Sequence, residues 1–181
     1  MAGHSHWKQI KVQKGSADAK RAKVFSKLLA AVAVAAKGEA NPQFNPRLRT
    51  AIAKAKENQV PQENIERAIK KASEKNENLE EVRIECYGPG GAAIIAEAIT
   101  SNSNRTINEV RLILKEFEGK LGGPGSATWA FEPAGNDGGL KPKFAKEIND
   151  EDRKKLSVLI EVLENQDDVQ RVYTNVPRPN K

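Results

Sequence analysis

The sequence contains a single cysteine, so no intrachain disulfide can form. That residue, Cys86, sits in the apolar stretch VRIECYG without a histidine or lysine cluster beside it, which predicts a buried structural thiol. Histidine is almost as scarce: His4 and His6 stand two residues apart with no further metal ligand nearby, and a zinc site needs three or four. No Ser–His or Cys–His pairing resembles a catalytic triad. The sequence therefore predicts no metal, no cofactor and no enzymatic activity.

Aromatic residues are also few, at 5% of the chain against 38% hydrophobic residues in total. Cores built mainly from Ala, Ile, Leu and Val are more typical of small, closely packed helical and sheet domains than of a domain with a large ligand cavity. Long apolar runs are missing, because LLAAVAVAA is cut off by Lys37 and Gly38, well short of the roughly 20 residues that span a bilayer. The N-terminus lacks an apolar segment behind a charged start, so we expect a cytoplasmic protein without a membrane partner.

Acidic residues are scarce in the N-terminal part of the chain. Residues 1–76 hold 16 Lys and Arg against 6 Asp and Glu, a net charge of +10, whereas the other 105 residues hold 14 against 18, a net charge of −4. Among the first 27 residues, Asp18 alone interrupts the basic series. A surface that merely keeps a protein in solution usually mixes both signs. This segregation favours the binding of a polyanion, which a concentrated positive field attracts.

The basic part of the sequence predicts three amphipathic helices. Apolar residues recur at spacings of three and four from residue 17 to about 37, while Asn45 can cap a second helix that has Pro46 at its first position. A third helix is expected from residue 61 to about 75. With a flexible arm ahead of them, these helices predict a basic helical domain over residues 1–76. The buried face of the first helix is predicted to comprise Val24, Phe25, Leu28, Leu29, Val32 and Ala36.

After SEKNENLEE the composition changes to that of a mixed domain. VRIECYG and AAIIAEAIT, separated by PGG, predict two strands around a tight turn. We expect a helix over 105–117, strands in SATWAFEP and KPKFAKEI, a helix in DEDRKKLSVLIEVLENQ and a last strand in VQRVYTN. This order predicts an α+β fold over residues 77–175, a ferredoxin-like sheet with helices on one face, followed by a tail at 176–181.

Two glycine loops and one acidic group have structural interpretations. Neither GPGG nor LGGPG has the glycine order, with a strand before it and a helix after it, that phosphate loops require, so both predict turns. Glu164, Asp167 and Asp168 straddle a predicted helix end, and no other acidic or histidine cluster would complete a metal site with them. They predict a solvated turn.

The cations of the N-terminal part are the candidate binding residues. Spacings of three and four on the first helix place several of them on one ridge, and the arm extends it, with Trp7 available to stack on a base. We find no base-reading motif here, so backbone contacts that weaken steeply with salt are expected. The series consists of Lys8, Lys11, Lys14, Lys20, Arg21, Lys23 and Lys27, followed by Arg47, Arg49, Lys54 and Lys56.

Eight segments, in this order, resemble the YebC family of bacterial proteins: GHSHW, DAKRAKVFSKL, NPRLRTAI, NIERAIKKA, YGPGGAAII, NSNRTINEVR, GSATWAF and LENQDDVQRVYTN. Mitochondrial relatives of that family activate translation of a cytochrome oxidase subunit. Its members are described as transcriptional regulators that bind DNA and as ribosome-associated factors that ease translation. The resemblance implies a helical N-terminal domain followed by α/β domains, without enzymatic activity.

Position by position, the resemblance implies a binding role for the basic opening and for the NPRLR segment. The chain departs from the family pattern at His6, where many members have Lys, and at Val60, where Met is usual. The family usually carries another α/β domain where this chain has AGNDGG, at 134–139, which implies a short form without the third domain. The residues carried over are His4, Ser5, Trp7, Lys8, Lys11, Lys14, Lys20, Arg21 and Lys23, and then Asn45, Arg47 and Arg49.

Taken together, these observations predict a non-enzymatic regulator of gene expression that binds nucleic acid through its basic N-terminal domain. Duplex DNA and ribosomal RNA both remain open as the target, and so does a role in transcription or in ribosome-associated translation. The alternative is a protein-interaction module whose basic domain docks on an acidic protein. The α+β domain would then serve as a spacer or as a second partner-binding domain.

Overall fold

The computed structural model describes residues 3–74, 78–135 and 138–177, with side chains from residue 15 onward. The chain divides into two compact units, Met1–Glu77 and Asn78–Lys181. The helices are α1 Gly3–Ala36, α2 Pro46–Glu57, α3 Gln62–Ser73, α4 Ser103–Glu116 and α5 Asp150–Asn165. The strands are β1 Glu80–Tyr87, β2 Ala93–Thr100, β3 Lys120–Leu121, β4 Phe131–Ala134, β5 Gly139–Pro142 and β6 Val169–Thr174. The predicted α+β fold class is confirmed.

In the first unit, α2 and α3 pack against the C-terminal half of α1. The core that they share is aliphatic, as the scarcity of aromatic residues predicted, and it includes Val32 of α1, Leu48 of α2 and Ile65 of α3. Val24 was expected on the buried face of α1, but its side chain is exposed. Burial on α1 begins only with the half-buried Phe25 and is complete from Val32 to Ala36, because α2 and α3 cover that end of the helix.

The predicted start of the first helix at residue 17 is wrong. The helix α1 begins at Gly3 and continues through the segment that was expected to be a flexible arm. No proline stands between Gly3 and Ala36, and most residues of the segment tolerate a helix. Gly15 costs about 1 kcal/mol relative to alanine there, which is too little to end a helix of this length. At 1.5 Å per residue, α1 is about 50 Å long.

The second unit contains a four-stranded antiparallel sheet in the order β3-β1-β2-β6. Its central pair is the predicted hairpin of β1 and β2, in which Cys86 pairs with Ile94. One face of the sheet, with Ile84, Cys86 and Ile94, joins α4 and α5 in a single apolar core, to which Leu114 and Leu159 contribute. The antiparallel sheet with helices on one face agrees with the expectation from the sequence.

The other face of the sheet is covered at one end by a small two-stranded sheet of β4 and β5. There Ile95 packs with Ala127, Ala130 and Phe131. Because both faces of β2 are covered, this strand is a nearly continuous apolar run, AAIIAEAIT, and does not alternate apolar with polar residues.

Two predicted strands are shorter than expected. In SATWAFEP the strand begins only at Phe131, after a 3-10 turn, and in KPKFAKEI it ends at Pro142. Proline lacks the N–H that a continuing ladder needs. Beyond it, the backbone N–H groups of Lys143 and Phe144 both donate to the carbonyl oxygen of Ala130, at 2.8 and 3.2 Å, so the chain leaves the strand direction.

The two ends of the AGNDGG segment, Ala134 and Gly139, pair with each other at the end of the β4–β5 ladder. Residues 136 and 137 lie outside the described residues, as do 75–77 at the boundary between the units and 178–181 in the predicted tail. The short form without a third domain stays a prediction from the resemblance.

Cys86 is a buried thiol, as predicted. Its side chain has no exposed surface, and burial, together with the nearby Glu85 carboxylate, raises the pKa of Cys86 to about 12. Since the thiolate is the reactive form, we expect a maleimide to label the native protein no faster than the second unit unfolds. The measurement is labelling rate against urea concentration. Labelling in water at the rate of the denatured chain would contradict the buried position.

Asn45 joins α1 to α2, as well as capping α2. Its Oδ1 accepts from the backbone N–H of Leu48 at 3.0 Å, which confirms the predicted cap, while its Nδ2 donates to the carbonyl oxygens of Ala35 at 2.6 Å and Glu39 at 2.7 Å. Asn45→Ala should lower the free energy of unfolding of the first unit by about 2 kcal/mol. Asn45→Asp keeps the cap and loses the two donors, so an intermediate loss in urea denaturation is expected. Equal stability of both variants and the wild type would refute this role.

Candidate nucleic-acid interface

The part of α1 where the description of side chains begins is exposed around its whole circumference. All residues from 15 to 22 are exposed, so the side chains of more than two helical turns are left unburied by α2 and α3. Lys20 and Arg21 lie in this stretch, and Lys23 and Lys27 follow with half-buried side chains. From residue 19 to 38 the sequence contains no acidic residue. This part of α1 is therefore a basic helix that a partner can approach from any direction.

Arg21 connects this helix to the segment between α2 and α3. One guanidinium nitrogen donates to Oε1 of Gln59 at 3.4 Å, and the guanidinium carbon lies 5.3 Å from the ring centroid of Phe25. The contact places the basic part of α1 beside the C-terminal end of α2, which carries Lys54 and Lys56. Cations that are 30 residues apart in the sequence therefore belong to one region of the first unit.

The helix α2 carries four exposed cations in two pairs. Arg47 and Lys54 are seven residues apart, as are Arg49 and Lys56, so the members of each pair share one side of the helix about 10 Å apart along its axis. The two pairs lie on different sides, because two residues correspond to about 200° around a helix. No acidic residue occurs from residue 40 to 56.

Arg49 has a structural role besides its exposed position. Its Nη1 donates to the backbone carbonyl oxygens of Pro42 at 3.2 Å and Gln43 at 3.4 Å, which closes the turn before α2. Its side chain is exposed, and no acidic residue occurs nearby in the sequence from residue 40 to 56. We therefore expect substitutions at Arg49 to affect folding as well as binding.

Phe44 is a candidate contact residue that the sequence analysis missed. It lies in the turn NPQFNP, next to the cap of α2, and its side chain is 73% exposed. The available signal was an aromatic residue in a turn between two prolines, although the sequence does not show that its ring is uncovered. Beside Arg47 it offers a ring on which a base can stack.

The structure places the predicted site residues in two groups. His4, Ser5, Trp7, Lys8, Lys11 and Lys14 lie on the helical backbone of α1, and their side chains are outside the described residues, so their roles stay predictions. The second group, Lys20, Arg21, Lys23, Lys27, Arg47 and Arg49, lies on α1 and α2 as described above. Of the two departures from the family pattern, His6 belongs to the first group, and Val60 is buried between α2 and α3.

The LGGPG loop holds an anion that belongs to the protein itself. The carboxylate of Glu85 accepts from the backbone N–H groups of Gly125 and Ala127, both at 2.7 Å, and of Thr128 at 2.9 Å. Burial raises the pKa of Glu85, but these hydrogen bonds outweigh it and hold the pKa below the ordinary value of 4.5. These amides are therefore occupied and cannot bind a phosphate.

The GPGG loop is a tight turn with Gly90 and Gly91 at positive φ, as predicted.

Asp168 is half-buried and hydrogen-bonded within the protein, so the prediction of a solvated turn is wrong for this residue. Its Oδ2 accepts from Arg105 at 2.8 Å and from the hydroxyl of Thr106 at 2.7 Å, and Thr106 also contacts the hydroxyl of Thr100 at 2.9 Å. The network joins the start of α4 to the turn before β6.

Within the described ranges, no group of three or more His, Cys, Asp or Glu side chains could hold a metal ion. In the same ranges, no helix combines the length and the apolar content needed to cross a bilayer.

Comparison with protein families covers most of the chain. Residues 5–75 match the TACO1/YebC protein N-terminal domain, and residues 79–136 match the TACO1/YebC second and third domain. The first match coincides with the helical unit and the second with the sheet from β1 to β4.

Relatives and a solved structure agree with these matches. A "probable transcriptional regulatory protein" of Desulfosudis oleivorans is 49% identical over 138 residues, 75% of this chain and 56% of that protein, so the chain spans about half its length. A protein of the same description from Aquifex aeolicus is 45% identical over 179 residues, 96% of this chain and 70% of that protein. The crystal structure of a conserved hypothetical protein from Aquifex aeolicus superimposes with a TM-score of 0.82 at 32% identity, covering 91% of this chain and 93% of the other. The chain therefore belongs to the TACO1/YebC family.

Proposed function

We propose that this protein is a non-enzymatic regulator of gene expression that binds nucleic acid through its basic helical unit. The observation that carries the proposal is the stretch of α1 around Lys20 and Arg21, which is exposed on every side and has no acidic neighbour in sequence after Asp18 until Glu39. The exposed cations of α2 support it, because the contact of Arg21 with Gln59 brings them into the same region.

The proposed contacts are ion pairs between Lys or Arg side chains and phosphates. Each such contact releases counterions from the nucleic acid, which makes binding strongly salt-dependent. The cations lie on helices whose backbone is already ordered, so the basic opening contributes charges on a helix and not on a flexible arm. The exposed ring of Phe44 adds a sequence-tolerant stacking contact.

The names of the relatives support a role in gene regulation, since the proteins of Desulfosudis oleivorans and Aquifex aeolicus are both described as probable transcriptional regulatory proteins. A basic helical surface suits duplex DNA and ribosomal RNA equally, because both present a regular array of phosphates. We therefore propose nucleic acid of either kind as the partner, in a cytoplasmic protein, with the ribosome as the second target to be tested.

A salt titration tests the proposal. Binding of the full chain to duplex DNA, to purified ribosomes and to polyglutamate is measured from low to physiological salt. We expect at least one nucleic-acid species to bind with a log–log salt slope of several units, at about 0.9 per phosphate contact for duplex DNA. Binding to polyglutamate alone would refute the proposal and favour the alternative of a module that docks on an acidic protein. Comparison of ribosome co-sedimentation with chromatin recovery from the same cells then separates the two targets.

A further inference from the structure

The second unit presents a pair of exposed aromatic rings that the basic helical surface does not include. Trp129 and Phe144 are 55% and 52% exposed, and their ring centroids lie 5.8 Å apart with the planes inclined by 36°. The neighbouring residues Ala130 and Phe131 are buried in the small core between the two sheets. The chain has few aromatic residues, and two of them are about half exposed here.

Trp129 is held in one orientation by the loop before β4. Its Nε1 donates to the carbonyl oxygen of Ser126 at 2.7 Å, and the hydroxyl of Tyr87 donates to the same oxygen. The amides of this loop are in turn bound by Glu85. Because the indole N–H already has a partner, the exposed ring offers its face and not its polar group. A ring that is fixed in advance loses little side-chain entropy on binding.

Phe144 is fixed through its backbone. Its N–H donates to the carbonyl oxygen of Ala130 at 3.2 Å, and its own carbonyl oxygen accepts from Nδ2 of Asn175 at 3.0 Å. The segment around Phe144 therefore keeps its position although it belongs to no strand. A substitution of the exposed ring leaves both hydrogen bonds in place.

Lysines flank Phe144 in the sequence, and one of them contacts its ring. The segment KPKFAK contains three lysines and no acidic residue. The Nζ of Lys143 lies 5.4 Å from the ring centroid of Phe144, and the side chain of Lys146 runs along the GPGG turn at Gly91. The acidic residues on either side have cationic partners, since Glu132 pairs with Lys141 at 3.1 Å and Glu147 pairs with Arg153 at 3.2 Å. The local charge around the rings is therefore positive.

We propose that Trp129 and Phe144, with Lys143 beside the Phe144 ring and Lys146 two residues further along the chain, form a stacking site for unpaired bases of a single-stranded nucleic acid. Half-exposed rings with a cation beside them match this ligand, because its bases are free to stack and its phosphates pair with lysine. The bases of a duplex are already stacked on one another, so a duplex gains little here. The site rests on the proposed nucleic-acid function and adds to it a preference for single strands that a purely electrostatic contact would not supply.

The test compares leucine variants of the two rings in the full chain. The probes are a fluorescein-labelled RNA without self-complementarity and the same RNA annealed to its complement. We expect Trp129→Leu and Phe144→Leu each to weaken binding of the single strand about tenfold, and to leave binding of the duplex unchanged. The conservative variant Trp129→Phe keeps a stacking face and should bind within about threefold of the wild type. Leu112→Ala, which removes an exposed apolar side chain from α4, is the matched control.

The outcomes separate this site from the function on which it rests. If the wild type binds both probes and the leucine variants bind the single strand as tightly as it does, the stacking site is refuted while the proposed function stands. If the wild type binds neither probe, the stacking site is refuted, and the salt titration with duplex DNA and ribosomes decides separately whether the proposed function stands. If the variants change the self-association of the protein in sedimentation and not its affinity for RNA, the rings are a contact between copies, and the site is likewise refuted. Far-ultraviolet circular dichroism and urea denaturation of Phe144→Leu, whose backbone bonds persist, confirm that the fold is retained.

Discussion

Replacing Lys20 and Arg21 together with glutamate should weaken binding of duplex DNA by about a hundredfold at 0.1 M salt. A slope of about 0.9 per phosphate contact corresponds to roughly eightfold in affinity for each contact at this salt concentration, and the introduced carboxylates repel neighbouring phosphates as well. The two residues lie on the part of α1 that is exposed on every side. Fluorescence anisotropy over a range of salt concentrations measures the effect, and the log–log slope should become shallower by about 1.8.

The matched control changes the net charge by the same amount elsewhere. Lys115→Glu with Lys154→Glu, on exposed positions of α4 and α5, should leave the affinity within about threefold, because neither residue belongs to the proposed interface. Arg21 also contacts Gln59, so circular dichroism must show that the helical content is unchanged. An equal loss of affinity in both double variants would mean that net charge alone drives binding, which contradicts a local interface.

Replacing Glu85 with alanine should lower the free energy of unfolding of the second unit by about 3 kcal/mol, the largest loss of stability that we expect from a single polar residue. The variant leaves three backbone N–H groups without their acceptor. The N–H of Ala127 is buried and loses every partner, whereas those of Gly125 and Thr128 are part-buried and can reach water, which limits the cost. Urea denaturation at neutral pH measures the loss.

The pH dependence of the free energy of unfolding distinguishes the effect of the Glu85 charge from the effect of its side-chain volume. Because the pKa in the folded protein lies below 4.5, the carboxylate stabilises the fold fully above that pH, and the contribution is lost as the pH falls through the folded pKa. Glu85→Gln should therefore be less stable than the wild type at neutral pH, and the difference should shrink on acidification below 4.5. Glu80→Ala, at an exposed position of the same strand, is the control. A difference that stays constant with pH would show that the charge of Glu85 contributes nothing.

Local patterns in the sequence predicted the helices and the central hairpin, and they failed where a backbone contact from elsewhere decided the path of the chain. The periodicity of α2, α3 and α5 was sufficient, since each has an amphipathic face and an N-terminal signal of its own. The strand expected in KPKFAKEI ends at Pro142 because Ala130 accepts the next two N–H groups. The start of α1 was missed because the basic opening has no apolar periodicity to signal a helix.

The sequence predicted which charged residues belong to the candidate interface, but it did not predict how these residues are arranged in space. Composition identified Lys20, Arg21 and the cations of α2, because segregated charge is visible in the sequence. It did not show that Arg21 reaches Gln59, since this contact spans 38 residues. Phe44 escaped notice because the sequence does not show whether a ring in a turn is covered.

The sequence by itself determined the α+β fold class, the basic N-terminal part and the membership of the TACO1/YebC family, because hydrophobic period, charge and motif order are properties of neighbouring residues. The tertiary structure alone decided which polar groups meet. Glu85 finds its amide donors 40 or more residues away, and the rings of Trp129 and Phe144 come together because the backbone after β5 returns to the carbonyl oxygen of Ala130. Contacts between side chains that are distant in sequence depend on how the helices and strands pack against one another. No local sequence pattern specifies that packing.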